Sequence, residues 1–315
     1  MPSKRFVHSV VVQQQSPSSD GVDTHFLPVN PLSVLLLHLF PLNNTSTQSN
    51  FQAALGIAGA IDKINVLFQG QSVMSMTGRD ALAMSYFYHR LDLRQGSNRS
   101  TDNERRSVCV PLLFGRRAYD PMDCFPATKN GDLILELTHD IAGTGYDGLR
   151  YSVEAVELPG ASPRAFERKT QMADTPSQTG LNMFELPLGN IYRGIMLFGT
   201  TGFSGAAPAP SWGRISTLVN NQEYDYSSTD WEVAHVIGGL MGGAPPSHDA
   251  HLEIANTGPQ SVGRGGWENY AYLPFDVTGD DEYSIDTANA SSFKVRADVE
   301  TADAIRMVPV ESVVL

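Results

Sequence analysis

Four stretches of this chain carry residue types at spacings that chemistry could use. GTGYDG (143–148) matches the Gly-x-Gly-x-x-Gly dinucleotide pattern letter by letter. That pattern works only with a strand before it and a helix after it, because the helix N-terminus holds the pyrophosphate. Here DLILELTHDI (132–141) precedes it, but the strand-like LRYSVEAVEL (149–158) follows, so the glycines and Asp147 read as a hairpin turn. GFSGA (202–206) is one residue short of a nucleophile elbow and runs into a Gly/Pro-rich loop where the elbow needs a helix. HDAH (248–251) sets two imidazoles beside Asp249, without a third ligand at helical spacing, and reads as an exposed loop. DVTGDDEYSID (276–286) holds five carboxylates in eleven residues. Asp276, Asp280, Asp281 and Glu282 could ligate a structural calcium ion, although the spacing is not that of a calcium-binding loop and a solvated turn explains it as well.

No paired carboxylates, Cys/His pair or phosphate loop stands out, and the sequence is read as holding no catalytic, cofactor-binding or metal-binding residue. It is therefore not expected to be an enzyme. Cys109 and Cys124 are too few for a disulfide framework and are expected to stay reduced. The net charge of −12 argues against direct nucleic-acid binding, which needs a basic face to neutralise phosphates. The N-terminus lacks the apolar core of a signal peptide, and the most apolar run, LSVLLLHLF (32–40), is nine residues, too short for a membrane helix. The expectation is a soluble protein without an export signal.

The elements that would position any site are mostly strands: short runs rich in Val, Ile, Leu and aromatics, bounded by Gly, Pro, Asn and Ser. Only 78–90 and 229–240 look helical, each opened by capping residues and an early acid. The chain also repeats itself. IDKINVLFQGQSVMSM (61–76) and WGRISTLVNNQEYDYS (212–227) align Lys63 with Arg214, Ile64 with Ile215, Leu67 with Leu218 and Gln71 with Gln222, at a constant offset of 151. Each copy is a strand, a polar tip (Gln69-Gly70 or Asn220-Asn221) and a second strand. Downstream, Leu112 falls over Leu273, Leu133 over Phe293, and the last strands of the halves share Val-Glu. Two homologous all-β halves follow: 1–158 with an N-terminal arm and 181–315, joined by a charged, Pro-containing linker at 159–180. Polar 94–107 and Gly/Pro-rich 238–269, both after the helix of their half, read as long functional loops. Eight short strands and one helix per half describe a jelly roll written twice.

With that pattern, the chain resembles the double jelly-roll major capsid proteins of tailless icosahedral viruses, above all membrane-containing bacteriophages. The resemblance rests on INVLFQGQSV, the helix GRDALAMSYFYH, VPLLFG and NGDLILEL, and on LPLGNIYRGIMLF, RISTLVNNQEYDY and the helix from Thr229 in the second half. It implies a structural virion protein, made in the host cytoplasm, whose homotrimers form pseudo-hexameric capsomers that tile a shell with neighbouring capsomers and minor or vertex proteins. It further implies outward-facing loops at 94–107 and 238–269, and an arm with Lys4 and Arg5 facing an internal membrane. Two other readings stay open. One is a minor capsid or spike protein. The other is a two-jelly-roll carbohydrate-binding protein, glycan hydrolase or amidase, for which Trp212, Trp231 and Trp267 are the only tryptophans, the first two better placed for core packing than for sugar stacking.

Overall fold

The computed structural model describes residues 5–17, 19–43, 54–91, 105, 107–141, 146–174, 176, 179–200, 210–242 and 269–315. The chain divides into two compact units, with the main boundary between Glu167 and Arg168.

In the first unit the strands are β1 (Val7–Gln15), β2 (Gly21–Phe26), β3 (Leu32–Leu39), β4 (Leu42–Asn43), β5 (Ile61–Phe68), β6 (Gln71–Met76), β7 (Val108–Leu113), β8 (Leu133–His139), β9 (Tyr146–Gly148) and β10 (Tyr151–Glu157), with helices α1 (Ala54–Ala58) and α2 (Gly78–Phe87). One sheet runs β1-β10-β3-β7 and the facing set runs β6-β5-β8-β2, every pair antiparallel. Alternation builds the core: β3 buries Leu35, Leu37 and Leu39, β5 buries Ile64 and Val66, and β8 buries Leu133, Leu135 and Leu137. Each such side chain contributes about 1.5–3 kcal/mol on leaving water.

β11 (Ala165–Thr170) crosses the boundary. The second unit continues with β12 (Met172–Asp174), β13 (Gly180–Glu185), β14 (Ile191–Gly199), β15 (Trp212–Val219), β16 (Gln222–Glu223), β17 (Thr229–Asp230), α3 (Trp231–Gly242), β18 (Tyr270–Pro274), β19 (Ile285–Asp286), β20 (Phe293–Val299) and β21 (Ile305–Val314). Its sheets run β12-β21-β14-β18 and β16-β15-β20-β13, the same order strand for strand as in the first unit. Each unit is thus an eight-stranded jelly roll, and the register repeats as well as the order. Ile64 pairs with Leu137 and Leu137 with Asp23; their counterparts Ile215, Ala297 and Asn182 pair in the same way. The two polar tips are two-residue hairpin turns with both central residues at positive φ (Gln69 50°, Gly70 82°; Asn220 53°, Asn221 63°), the twist that suits an antiparallel hairpin.

Three sequence expectations change. The 159–180 stretch was expected to lack strands, yet it holds β11 and β12. The charges that suggest a linker hide the alternation, because Glu167 and Lys169 point to the buried side of β11. A third helix, α1, lies in an apolar stretch with no acid in its first turn or base in its last, and packs its Ala58 carbonyl against Gly78 at the start of α2. Finally, Thr229 and Asp230 belong to no helix: they pair with Ile215 and Arg214 as β17, and α3 begins at Trp231.

Candidate assembly surface

The first strand of the second sheet in each roll turns large apolar residues outward. On β2, Asp23 and His25 turn inward while Val22 and Phe26 point outward, 59% and 66% exposed. On β13, Asn182 takes the place of Asp23, and Leu181 and Met183 point outward, 66% and 55% exposed. Within their rolls both are edge strands, bonded on one side only, β2 to β8 and β13 to β20. The turns that follow, LPVN (27–30) and LPLGN (186–190), expose Val29 and Leu188. Apolar residues facing outward on an open edge are a liability unless another surface covers them.

A polar tie holds each of these turns. The Asn30 amide donates to Glu157 Oε2 at 2.7 Å and Ser9 Oγ donates to Oε1 at 2.5 Å. In the second roll the Asn190 amide donates to Glu311 Oε2 at 2.7 Å, and the Arg168 guanidinium donates to the same oxygen at 2.5 Å. Glu157 pairs with Leu32 and Glu311 with Tyr192, the same place in β10 and β21, and both carboxylates are buried. The shared Val-Glu of the last strands marks the acceptors, while the Leu-Pro-x-Asn signal for the donors was missed because the second copy carries one extra residue, Gly189.

Inside the first roll, β2 faces a four-residue cluster. Tyr151 donates its hydroxyl proton to Asp23 Oδ2 at 2.5 Å, His25 Nε2 lies 2.8 Å from that hydroxyl, and His139 Nε2 lies 3.3 Å from Asp23 Oδ2. Because the tyrosine proton is given to Asp23, the imidazole of His25 is the donor to the phenol. Burial, with the Asp23 hydrogen bond and charge, pushes the Tyr151 hydroxyl far above the usual phenol range, so it stays neutral. Burial also lowers the His25 pKa from 6.5, against the pull of Asp23. A neutral phenol and a reluctant base make a structural network with no activated nucleophile.

The sequence-stretch candidates end elsewhere. GFSGA, HDAH, Trp267, residues 143–145 and nearly all of the two long loops lie outside the described residues. Tyr146–Gly148 forms β9 against β4 and leads into strand β10, so no helix follows the glycines. The acidic turn is organised by protein donors. Arg193 binds Asp281 through both oxygens at 2.9 and 3.0 Å, Asp276 Oδ1 accepts the amides of Gly279 and Asp281, and Asp280 Oδ1 accepts the Glu282 amide. Among the described residues no three His, Cys, Asp or Glu side chains group as metal ligands. Trp212 and Trp231 stack in the second core, centroids 6.2 Å apart, with Trp212 Nε1 donating to the Phe198 carbonyl. Cys109 and Cys124 are free thiols, pushed up to about 11 and about 12 chiefly by burial. No described helix is long and apolar enough to cross a membrane.

No protein-family profile matches this chain, and neither does any curated protein. Solved structures match along its whole length. The major capsid protein of Sulfolobus Turreted Icosahedral Virus is similar with a TM-score of 0.69 at 12% identity, over 98% of this chain and 97% of that one. The major capsid protein of bacteriophage PM2 is similar with a TM-score of 0.65 at 12% identity, over 98% of both chains. The Faustovirus major capsid protein gives 0.58 at 8% identity, over 100% of this chain and 91% of that one. At such identities the likeness is one of fold, and the fold is a double jelly roll.

Proposed function

We propose that this chain is a major capsid protein, a structural protein without enzymatic activity that assembles in the virion shell. The observation that carries this reading is the duplicated outward apolar edge: Val22, Phe26 and Val29 on one roll, Leu181, Met183 and Leu188 on the other. A chain that presents the same kind of surface twice offers six quasi-equivalent edges when three copies close around an axis. That is the geometry of a pseudo-hexameric homotrimer packed against neighbouring capsomers and minor or vertex proteins. The full-length likeness to capsid proteins supports it, and Trp212 and Trp231 are buried in the second core, where they pack and do not stack on sugars. The N-terminal arm, with Lys4 and Arg5, would face an anionic internal membrane. The experiment is to place a lysine on each edge, Phe26→Lys with Leu181→Lys, and follow assembly by electron microscopy. Loss of assembly with an unchanged circular dichroism spectrum is the expected result; intact particles would reject the edges as contact surfaces.

A further inference from the structure

The outer face of the first sheet of the first roll carries an open apolar groove of about 300 Å³. Its floor is Val34, Leu113 and Val156, flanked by half-buried Leu36 and Leu91, and exposed Arg117 stands at its rim. Three strands, β3, β7 and β10, supply the floor. The equivalent place in the second roll is filled from within: Gly194 stands where Val34 stands, and the buried Tyr272 ring lies so close over it that an added Cβ would meet the hydroxyl at 2.1 Å. An aromatic ring is therefore what this position of the second roll accommodates; in the first roll Pro111 stands at the register position of Tyr272, and the groove stays open beside His89 and Tyr119.

We propose that the groove receives the acidic turn Val277–Tyr283 of a second copy of this chain. Tyr283 and Val277 are 53% and 44% exposed, and Glu282 beside them is exposed and anionic, which complements the apolar floor and the Arg117 charge. Arg117 belongs to the turn leaving β7, and Val277–Tyr283 belongs to the corresponding turn leaving β18, so each lies at the same end of its own roll. A groove on the first roll of one copy with its plug on the second roll of the next is a heterologous contact, the kind that builds a closed ring. The turn is braced for this: Arg193, buried in β14, holds Asp281 through two hydrogen bonds. The proposal rests on the homotrimer reading.

Arg117→Glu and Glu282→Arg are each expected to weaken the trimer by about tenfold or more, and the two combined in one chain to restore it. Independently, Arg117→Cys with Tyr283→Cys should give covalent oligomers on oxidation, while each single variant, which retains Cys109 and Cys124, should not. Trimers that survive both charge changes undiminished, or a cross-link formed only within one chain, would overturn the groove contact and leave the trimer standing. A wild-type chain that is monomeric would overturn both.

Discussion

At the residue scale, the second roll depends on one buried carboxylate. Glu311 is fully buried and accepts from Asn190 and Arg168, so its removal takes the acceptor from both donors. Glu311→Ala is expected to cost about 3 kcal/mol in urea unfolding, because it removes two hydrogen bonds to a buried carboxylate at about 1.5 kcal/mol each. Asn190→Ala should cost only about 1.5 kcal/mol, the net worth of one hydrogen bond to a charged group at the low end. Equal, small losses for the two would refute the tie. The histidines of the first roll set a pH response. Burial lowers the pKa of both His25 and His38 from 6.5, against the opposing pull of Asp23 and Glu154. The unfolded chain then binds protons more readily than the folded one below that value, so stability is full above it and falls as the pH drops through and below it. The thermal midpoint should decline between about pH 7.5 and pH 5.5, and the His25→Gln, His38→Gln double variant should flatten that slope. An identical slope in the variant would show that other groups govern it.

At the scale of elements, α2 fits against α1 only through glycine. Thr77 caps α2 by accepting the Asp80 amide at 3.1 Å, and a Cβ on Gly78 would meet the Ala58 carbonyl oxygen at 2.2 Å. Backbone cannot yield as a flexible side chain does, so Gly78→Ala should destabilise by about 1–3 kcal/mol in denaturant titration despite the better helix propensity of alanine. A stabilised variant would mean that α1 is not packed as described. The same elements show what could be read from the sequence. The hairpins β5-β6 and β15-β16 were legible because their strands alternate and their tips carry the Gly and Asn that positive φ favours. The helix α1 was not, because five residues are too short to show a period and no charge marks either end. β11 was misread since its buried face holds Lys169 and Glu167, the latter accepting from the distant Tyr88 hydroxyl. Candidate contact surfaces were the least legible. Val22 and Phe26 alternate like any strand, and only the fold reveals that the apolar side faces out.

At the scale of the whole molecule, duplication is the organising fact. The constant offset between the hairpins grew into two rolls with the same strand order, the same pairing register, the same Asn–Glu tie and the same outward apolar edge. A single roll needs only its core; matching edges on both rolls make sense when copies meet copies. The native mass of the purified 34.2 kDa chain, by light scattering after gel filtration or by native mass spectrometry, tests that most directly. A stable trimer is predicted, with hexagonal plates in electron images at higher concentration. A clean monomer at micromolar concentration would contradict the capsid assignment.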